Sequence, residues 1–297
     1  MVAIARACLP VPFPAAVDAT SPNAWEPGDH PATEQTSWML PIVGIRPLSG
    51  RTGTTLLMNL LGTSPQIAFD RRYPAEYRIA SYLARTASAM TEPFDDSRHR
   101  GVTDFFFGEE LSWGPLPFAS DALEVDAWRP ALLRAMWSSA SEAMLAVRPG
   151  ATWYAEKLAV DEASLLDAGI EVVRVDLVRD PRDILASRRA FQAGGTERWA
   201  RDAGGVCAEL MSRIDELDRD PPEIRLRYED LAADLDGTAE MLAEHLGVEL
   251  RAEAVERVEH HVTTTSLEAS IGRWHRDLTS AEADALAPVV RRLGYAD

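Results

Sequence analysis

Short apolar stretches that alternate with helical patterns constrain this chain more than any other feature. The clearest is "EVVRVDLVRD" (171–180), a valine-rich strand that stops at Asp180-Pro181. A helix, "PRDILASRRAF", starts on that proline, which suits a first helical turn. Ile42–Arg46 reads as a strand ahead of the helix Thr54–Leu61, in which Leu56, Leu57, Leu60 and Leu61 share one face. "QIAF" (66–69) precedes a helical pattern over 74–90, and "TWYAEK" (152–157) precedes "DEASLLDAG". "EIRLRYED" (223–230) is the last strand, followed by a helix that ends at Gly247. Further helices are predicted over 121–147, bent or restarted at Pro130, over 197–218, and in the tail near 252–261 and 280–293. This alternation predicts an α/β fold, a mostly parallel sheet flanked by helices on both faces. No internal repeat is visible, and no linker after residue 37. A Pro/Ala-rich arm (1–37) and one domain (38–297) follow as the expected organisation, and a hydrophobic fraction of 46% is ample for its core.

Charge narrows the function. A net charge of −17 argues against general nucleic-acid binding and against docking to anionic lipid. No window approaches the run of ~20 apolar residues that spans a bilayer. Arg6 and three prolines interrupt the apolar core that a signal peptide needs in "MVAIARACLPVPFPAAVDA", so a soluble, cytoplasmic protein is expected. Cys8 and Cys207 offer neither a disulfide framework nor zinc spacing. An anionic ligand would need a locally basic pocket in so acidic a chain, which makes each cation informative. Lys157 is the single lysine among 30 basic residues.

Ligands of such folds sit at the C-terminal ends of the parallel strands. After the first strand stands "PLSGRTGTTLL" (47–57). Its glycines let the backbone approach a ligand, the amides of a helix N-terminus favour an anion, Thr54 and Thr55 add hydroxyls, and Arg51 adds charge. The loop is almost G-x-x-x-x-G-K-[ST], but Gly44 is one residue too far from Gly50, and Arg51 occupies the lysine position. After the second strand comes "DRRYPAEYR" with Glu76, after the third Lys157, after the fourth "RDPRDILAS" with Arg179 and Ser187, and after the fifth Tyr228. Stability alone does not require five loops to bring cations, hydroxyls, an aromatic ring and a carboxylate to one sheet edge.

These segments resemble, in order and over about residues 40–295, the sulfotransferases that use 3′-phosphoadenosine 5′-phosphosulfate (PAPS). In that family a strand–loop–helix like "GRTGTTLL" takes the 5′-phosphosulfate. An Arg at a strand end and a Ser eight positions later, within R-[DN]-P-x-D-x-x-x-S, take the 3′-phosphate; Arg179 and Ser187 have that spacing. "LRYEDL" (226–231) matches a segment whose Tyr lies near the nucleotide, and "TTTSLEASIGRWHRDLT" (263–279) matches a C-terminal segment that brings an Arg or Lys and a Trp there. The resemblance implies a P-loop-like sulfotransferase fold and PAPS as donor, with 3′-phosphoadenosine 5′-phosphate (PAP) as product. It implies cofactor binding by Arg51, Thr52, Gly53, Thr54, Thr55, Arg179, Ser187, Tyr228 and Arg273, and catalysis by Arg51, Lys157 and a base. No metal is required, because guanidinium and ammonium groups carry the charge that Mg²⁺ carries in kinases.

The histidine that many cytosolic members use as base is absent from "YAEKLAV". Branches acting on sugars use a glutamate after the second strand, which corresponds to Glu76. Beside Arg72 and Arg78 this carboxylate should stay ionised. Glu156 ranks next and His99 last. The acceptor is expected to be a small molecule or carbohydrate, with specificity carried by the irregular stretch 91–121, which holds Phe105, Phe106, Phe107 and Trp113. His260-His261 read as ordinary helix residues, and Asp176 as an accidental likeness to a kinase's Mg²⁺ ligand. The competing readings are an ATP-dependent P-loop kinase, which leaves "RDPRDILAS" unexplained, and a non-catalytic nucleotide-binding module, which leaves Glu76 without a task.

Overall fold

A computed structural model describes residues 39–69, 77–88, 125–159, 162–192, 202–255 and 266–296. Five parallel strands lie in the order β2-β3-β1-β4-β5. They are β1 (Ile42–Pro47), β2 (Ile67–Ala68), β3 (Trp153–Lys157), β4 (Val172–Val178) and β5 (Ile224–Arg227). The α/β fold read from the sequence is the fold found. The described helices are α1 (Thr54–Leu61), α2 (Ile79–Ser88), α3 (Val125–Val147), α4 (Ala163–Asp167), α5 (Pro181–Gln192), α6 (Ala203–Arg219), α7 (Tyr228–Ala233), α8 (Leu235–Leu246), α9 (Trp274–Asp277), α10 (Ser280–Ala285) and α11 (Ala287–Arg292).

Alternation along the strands explains the layers. Val43, Ile45, Val175, Leu177, Ile224 and Leu226 pack with α1 and α8 on one face. Ile42, Tyr154 and Val172 join a second cluster with α2, α3 and α4. Leu48 and Val178 join a third with α5, α6 and α11. β4 is buried along nearly its whole length, and apart from Arg174 and Asp176 its residues are valine or leucine, which makes it plain in the sequence.

The sequence reading needs three boundary corrections. The last strand ends at Arg227, not at 230, and Tyr228 opens α7. Glu229 and Asp230 then fall in its first turn, where the helix dipole favours acids. The tail pattern over 280–293 is two helices, because Pro288 cannot continue the first and instead opens the second. Of the helix expected near 252–261, the described residues hold only a 3-10 turn, Ala252–Ala254. α3 runs unbroken through Pro130. Among the described residues no helix is long and apolar enough to cross a membrane.

Chain order leaves β1 at the centre, with β3 on one side and β4 on the other. The chain reverses direction across the sheet at the β1/β4 border. Such a switch point opens a crevice above the strand ends. The loops that leave β1 and β4 carry Arg51 and Arg179.

Candidate active site

The phosphate loop is braced from within. The Thr52 hydroxyl donates to the Ser49 carbonyl at 2.5 Å and accepts from the Ser49 amide at 3.1 Å, and Thr52 is fully buried. Its side chain therefore shapes the loop. Arg51 has φ 74°, a left-handed conformation that is uncommon outside glycine. Gly53, at φ 102°, is the N-cap of α1 and contributes no side-chain cap, which leaves the helix start, at Thr54 and Thr55, suited to an anion. A Cβ on Gly53 would enter the ring of Tyr228, so glycine is needed there for space as well as for conformation. Thr54 and Thr55 follow as the first two helical residues, both half-buried.

Arg179 emerges from the end of β4 and is 4% exposed. Its Nη1 donates to the Arg51 carbonyl at 3.0 Å and its Nη2 to the Ser270 carbonyl at 2.6 Å. Its guanidinium lies 4.2 Å over the Tyr228 ring, whose hydroxyl is 2.6 Å from Ser270 Oγ. Arg51 Nε donates to Ser187 Oγ at 3.2 Å, and the Arg51 guanidinium lies 4.7 Å over the Phe191 ring. Arg51, Arg179, Ser187, Tyr228 and Gly53 are thus brought together from three strand–helix junctions. The Nε of Arg179 is buried without a hydrogen-bond partner. A buried donor left unmatched is costly, and a phosphate oxygen would satisfy it. The residues present fit the two-phosphate donor implied by the sequence.

The C-terminal segment is fastened over the start of α5. Asp183 accepts from the Gly272 amide at 2.7 Å and the Trp274 amide at 3.0 Å. Burial pushes its pKa up, against the pull of those amides and of Arg179. Arg273 lies on the same segment, buried, with its guanidinium closed on Asp277 at 2.6 and 2.9 Å. The Trp274 ring is packed 4.0 Å beneath the Arg182 guanidinium and stacked on His275 with centroids 3.6 Å apart. Sequence reading assigned no role to Asp183 or Ser270. Asp183 stood inside the R-[DN]-P-x-D pattern, but its partners lie some ninety residues away.

Lys157 is buried at the end of β3, opposite Ile45 in register, at the base of the phosphate loop. Glu156, the second-choice base, is taken up structurally. Its carboxylate accepts from the Ala80 amide at 2.9 Å, the Ser81 amide at 3.0 Å and the Ser81 hydroxyl at 2.5 Å, so it anchors the first turn of α2. Burial raises its pKa despite those bonds from Ser81 and Ala80. Asp176 accepts from Arg46 Nε at 2.7 Å and from Arg225 at 3.2 Å. The same Arg46 pairs with Glu162 and donates to the Asp220 carbonyl at 2.8 Å. Asp176 therefore belongs to a buried ion network, not to a metal site of a kinase. Glu76, His99, His260, His261, the Phe105–Phe107 run and Trp113 lie outside the described residues.

The sequence model of the sulfotransferase family matches residues 49–252. No curated protein matches the sequence. Among solved structures, the sulfotransferase domain of the Synechococcus PCC 7002 olefin synthase is 18% identical, with a TM-score of 0.50, over 87% of this chain and 97% of that one. A retinol dehydratase in complex with retinol and PAP is 16% identical, with a TM-score of 0.41, over 86% and 81% of the two chains. A sulfotransferase of Mycobacterium tuberculosis is 17% identical, with a TM-score of 0.38, over 84% and 77%. At such identities the likeness to the first is one of fold. The family match covers most of the chain, from the phosphate loop through β4 and α5 to Ala252. On that match this chain belongs to the sulfotransferase family, enzymes that take a sulfuryl group from PAPS.

Proposed function

We propose that the chain moves the sulfuryl group of PAPS to a hydroxyl of a small-molecule or carbohydrate acceptor in the cytoplasm, leaving PAP. When bound, PAPS supplies a sulfuryl group on a phosphate that departs with the bonding electron pair, and a separate 3′-phosphate. Glu76 takes the proton of the acceptor hydroxyl as its oxygen bonds to sulfur. Arg51 and Lys157, with the amides of Thr52, Gly53, Thr54 and Thr55, stabilise the negative charge that grows on the departing oxygen. Loss of either cation should cost about 10²–10³ in rate. Arg179, Ser187, Tyr228 and Arg273 hold the nucleotide's 3′-phosphate end. These roles require no metal ion.

One observation carries this reading. Arg179 is buried with an unmatched Nε, and it is bonded to the backbone of Arg51, whose side chain reaches Ser187. This junction of the two cationic loops suits a donor with a 5′-phosphosulfate and a 3′-phosphate. Calorimetry of PAP and of ADP with Mg²⁺, on the wild type and Arg179→Ala, tests it. PAP should bind far more tightly, and the substitution should remove that preference. Equal or tighter binding of ADP with Mg²⁺ overturns the reading in favour of an ATP-dependent kinase.

A further inference from the structure

A cavity of about 430 Å³ opens against the phosphate loop. One wall is the loop itself, Pro47 to Gly50, with Leu158 beside it. The other wall is a stripe of α6 formed by Glu209, Ser212, Arg213 and Glu216. Those positions are spaced three and four apart and so share a helix face. The opposite face of α6, with Val206, Leu210, Ile214 and Leu217, is buried in the core. The polar stripe of this amphipathic helix thus lines a cavity beside the loop.

The wall is built, not incidental. Arg188, 2% exposed, donates from Nη2 to Glu209 Oε1 at 2.6 Å and to Ser49 Oγ at 2.8 Å, and from Nη1 to Glu209 Oε2 at 3.2 Å. Arg213 donates to Glu216 at 2.8 Å and to the Pro47 carbonyl at 3.3 Å. Both carboxylates are therefore bonded to arginines that also reach the loop. The lining of the cavity itself carries two carboxylates, Glu209 and Glu216, and one arginine, Arg213, a balance that does not favour an anionic ligand. A carboxylate accepts at two oxygens with about four lone-pair sites, and it suits hydroxyl donors. Leu158 and Pro47 offer an apolar surface opposite. The volume lies within the range of small-molecule sites, about 300–1,000 Å³.

We infer that this cavity is the acceptor site, and that it takes an uncharged, hydroxyl-rich molecule of sugar size. The inference rests on the proposed sulfuryl transfer, because the loop at the cavity wall runs directly into Arg51. Glu209, Ser212 and Glu216 would bind hydroxyls, and Leu158 would cover a C–H face. An anionic acceptor would meet two carboxylates, and a long apolar alcohol would strip water from them without replacing its hydrogen bonds.

The test supplies the full chain with PAPS and three probes, methyl glucoside, glucose phosphate and octanol, and follows sulfated product by mass spectrometry. Ser212→Trp, at an exposed helix position, fills the cavity without touching the core. Methyl glucoside should be turned over with the highest kcat/KM. Ser212→Trp should raise its KM about tenfold or more, the loss of roughly one hydrogen-bonded contact, while PAP affinity measured by calorimetry stays unchanged. PAP binding with octanol or glucose phosphate preferred, with no turnover of methyl glucoside, or with KM indifferent to Ser212→Trp, overturns the acceptor assignment alone. Failure of the wild type to bind PAP overturns the sulfuryl-transfer reading beneath it.

Discussion

Arg179 donates from Nη1 to the main-chain carbonyl of Arg51 at 3.0 Å, so the cation that ends β4 holds the backbone of the cation in the phosphate loop. Nη2 is committed to Ser270, and Nε alone lacks a partner. Lysine would keep the charge but lose the planar fork that serves these three directions. A hydrogen bond to a charged group is worth about 1.5–3 kcal/mol. Arg179→Lys should therefore weaken PAP by about 10- to 100-fold in calorimetry. It should also lower the melting temperature, because the Ser270 anchor is lost. Unchanged PAP affinity would remove Arg179 from the site.

Arg51 separates strain from chemistry. Its left-handed backbone costs on the order of 1–3 kcal/mol in a non-glycine residue, and glycine would relieve it while losing more chain entropy on folding. The two effects oppose each other. Arg51→Gly should leave the free energy of unfolding within about 1 kcal/mol of the wild type. Sulfuryl transfer should fall by about 10²–10³. Denaturant titration and turnover on one preparation read both quantities. A large loss of stability would make Arg51 a structural residue first.

The sequence disclosed the parts of this site that depend on local pattern. The strands β1 and β4 are mostly apolar, the helices after them begin at a glycine turn and a proline, and the eight-residue spacing of Arg179 and Ser187 is carried by one strand–helix junction. What stayed hidden depends on partners far apart in the chain. Glu156 looks like any acidic residue in a strand until α2 delivers the Ala80 and Ser81 amides to it. Asp183 looks like a first-turn acid until the segment at Gly272 docks on it. Thr52 shows no local sign that its hydroxyl turns back on Ser49. The strand at 223–230 read too long because "RLRYED" holds no glycine or proline to mark where the helix begins.

Glu76→Gln tests the base. The amide keeps the shape and cannot take a proton. PAP affinity should match the wild type, and turnover should fall by about 10²–10⁴, the usual contribution of general base catalysis. Calorimetry and product formation together make the check. Turnover within a few-fold of the wild type would assign the proton to another group.

Asp176→Asn distinguishes a buried ion network from a kinase's metal ligand. Asp176 is fully buried against Arg46 and Arg225, while Arg46 retains Glu162. Removing the charge should cost about 1–3 kcal/mol of stability, seen as a lower denaturation midpoint. Turnover per folded molecule should not change. A loss of activity at full stability would restore a catalytic role for this carboxylate.

Glu156→Gln gives a pH signature for the anchor of α2. Burial holds the Glu156 pKa above the ordinary 4.5, even though the Ser81 hydroxyl and the Ala80 and Ser81 amides favour the carboxylate. The folded protein thus binds this proton more tightly than the unfolded chain does. Stability from this group is fully present below the ordinary carboxylate pKa and is lost as pH rises through the folded value. Glutamine does not titrate, and its amide nitrogen would face a backbone donor, at a cost of about 1–3 kcal/mol. The wild type should therefore be the more stable protein at low pH, and its advantage should shrink as the pH rises above the ordinary carboxylate value of 4.5. Thermal melts of both proteins across that rise measure the difference, in which the other titrating groups largely cancel. An advantage that grows with pH would mean that the three donors outweigh burial, and that the carboxylate is the form the fold prefers.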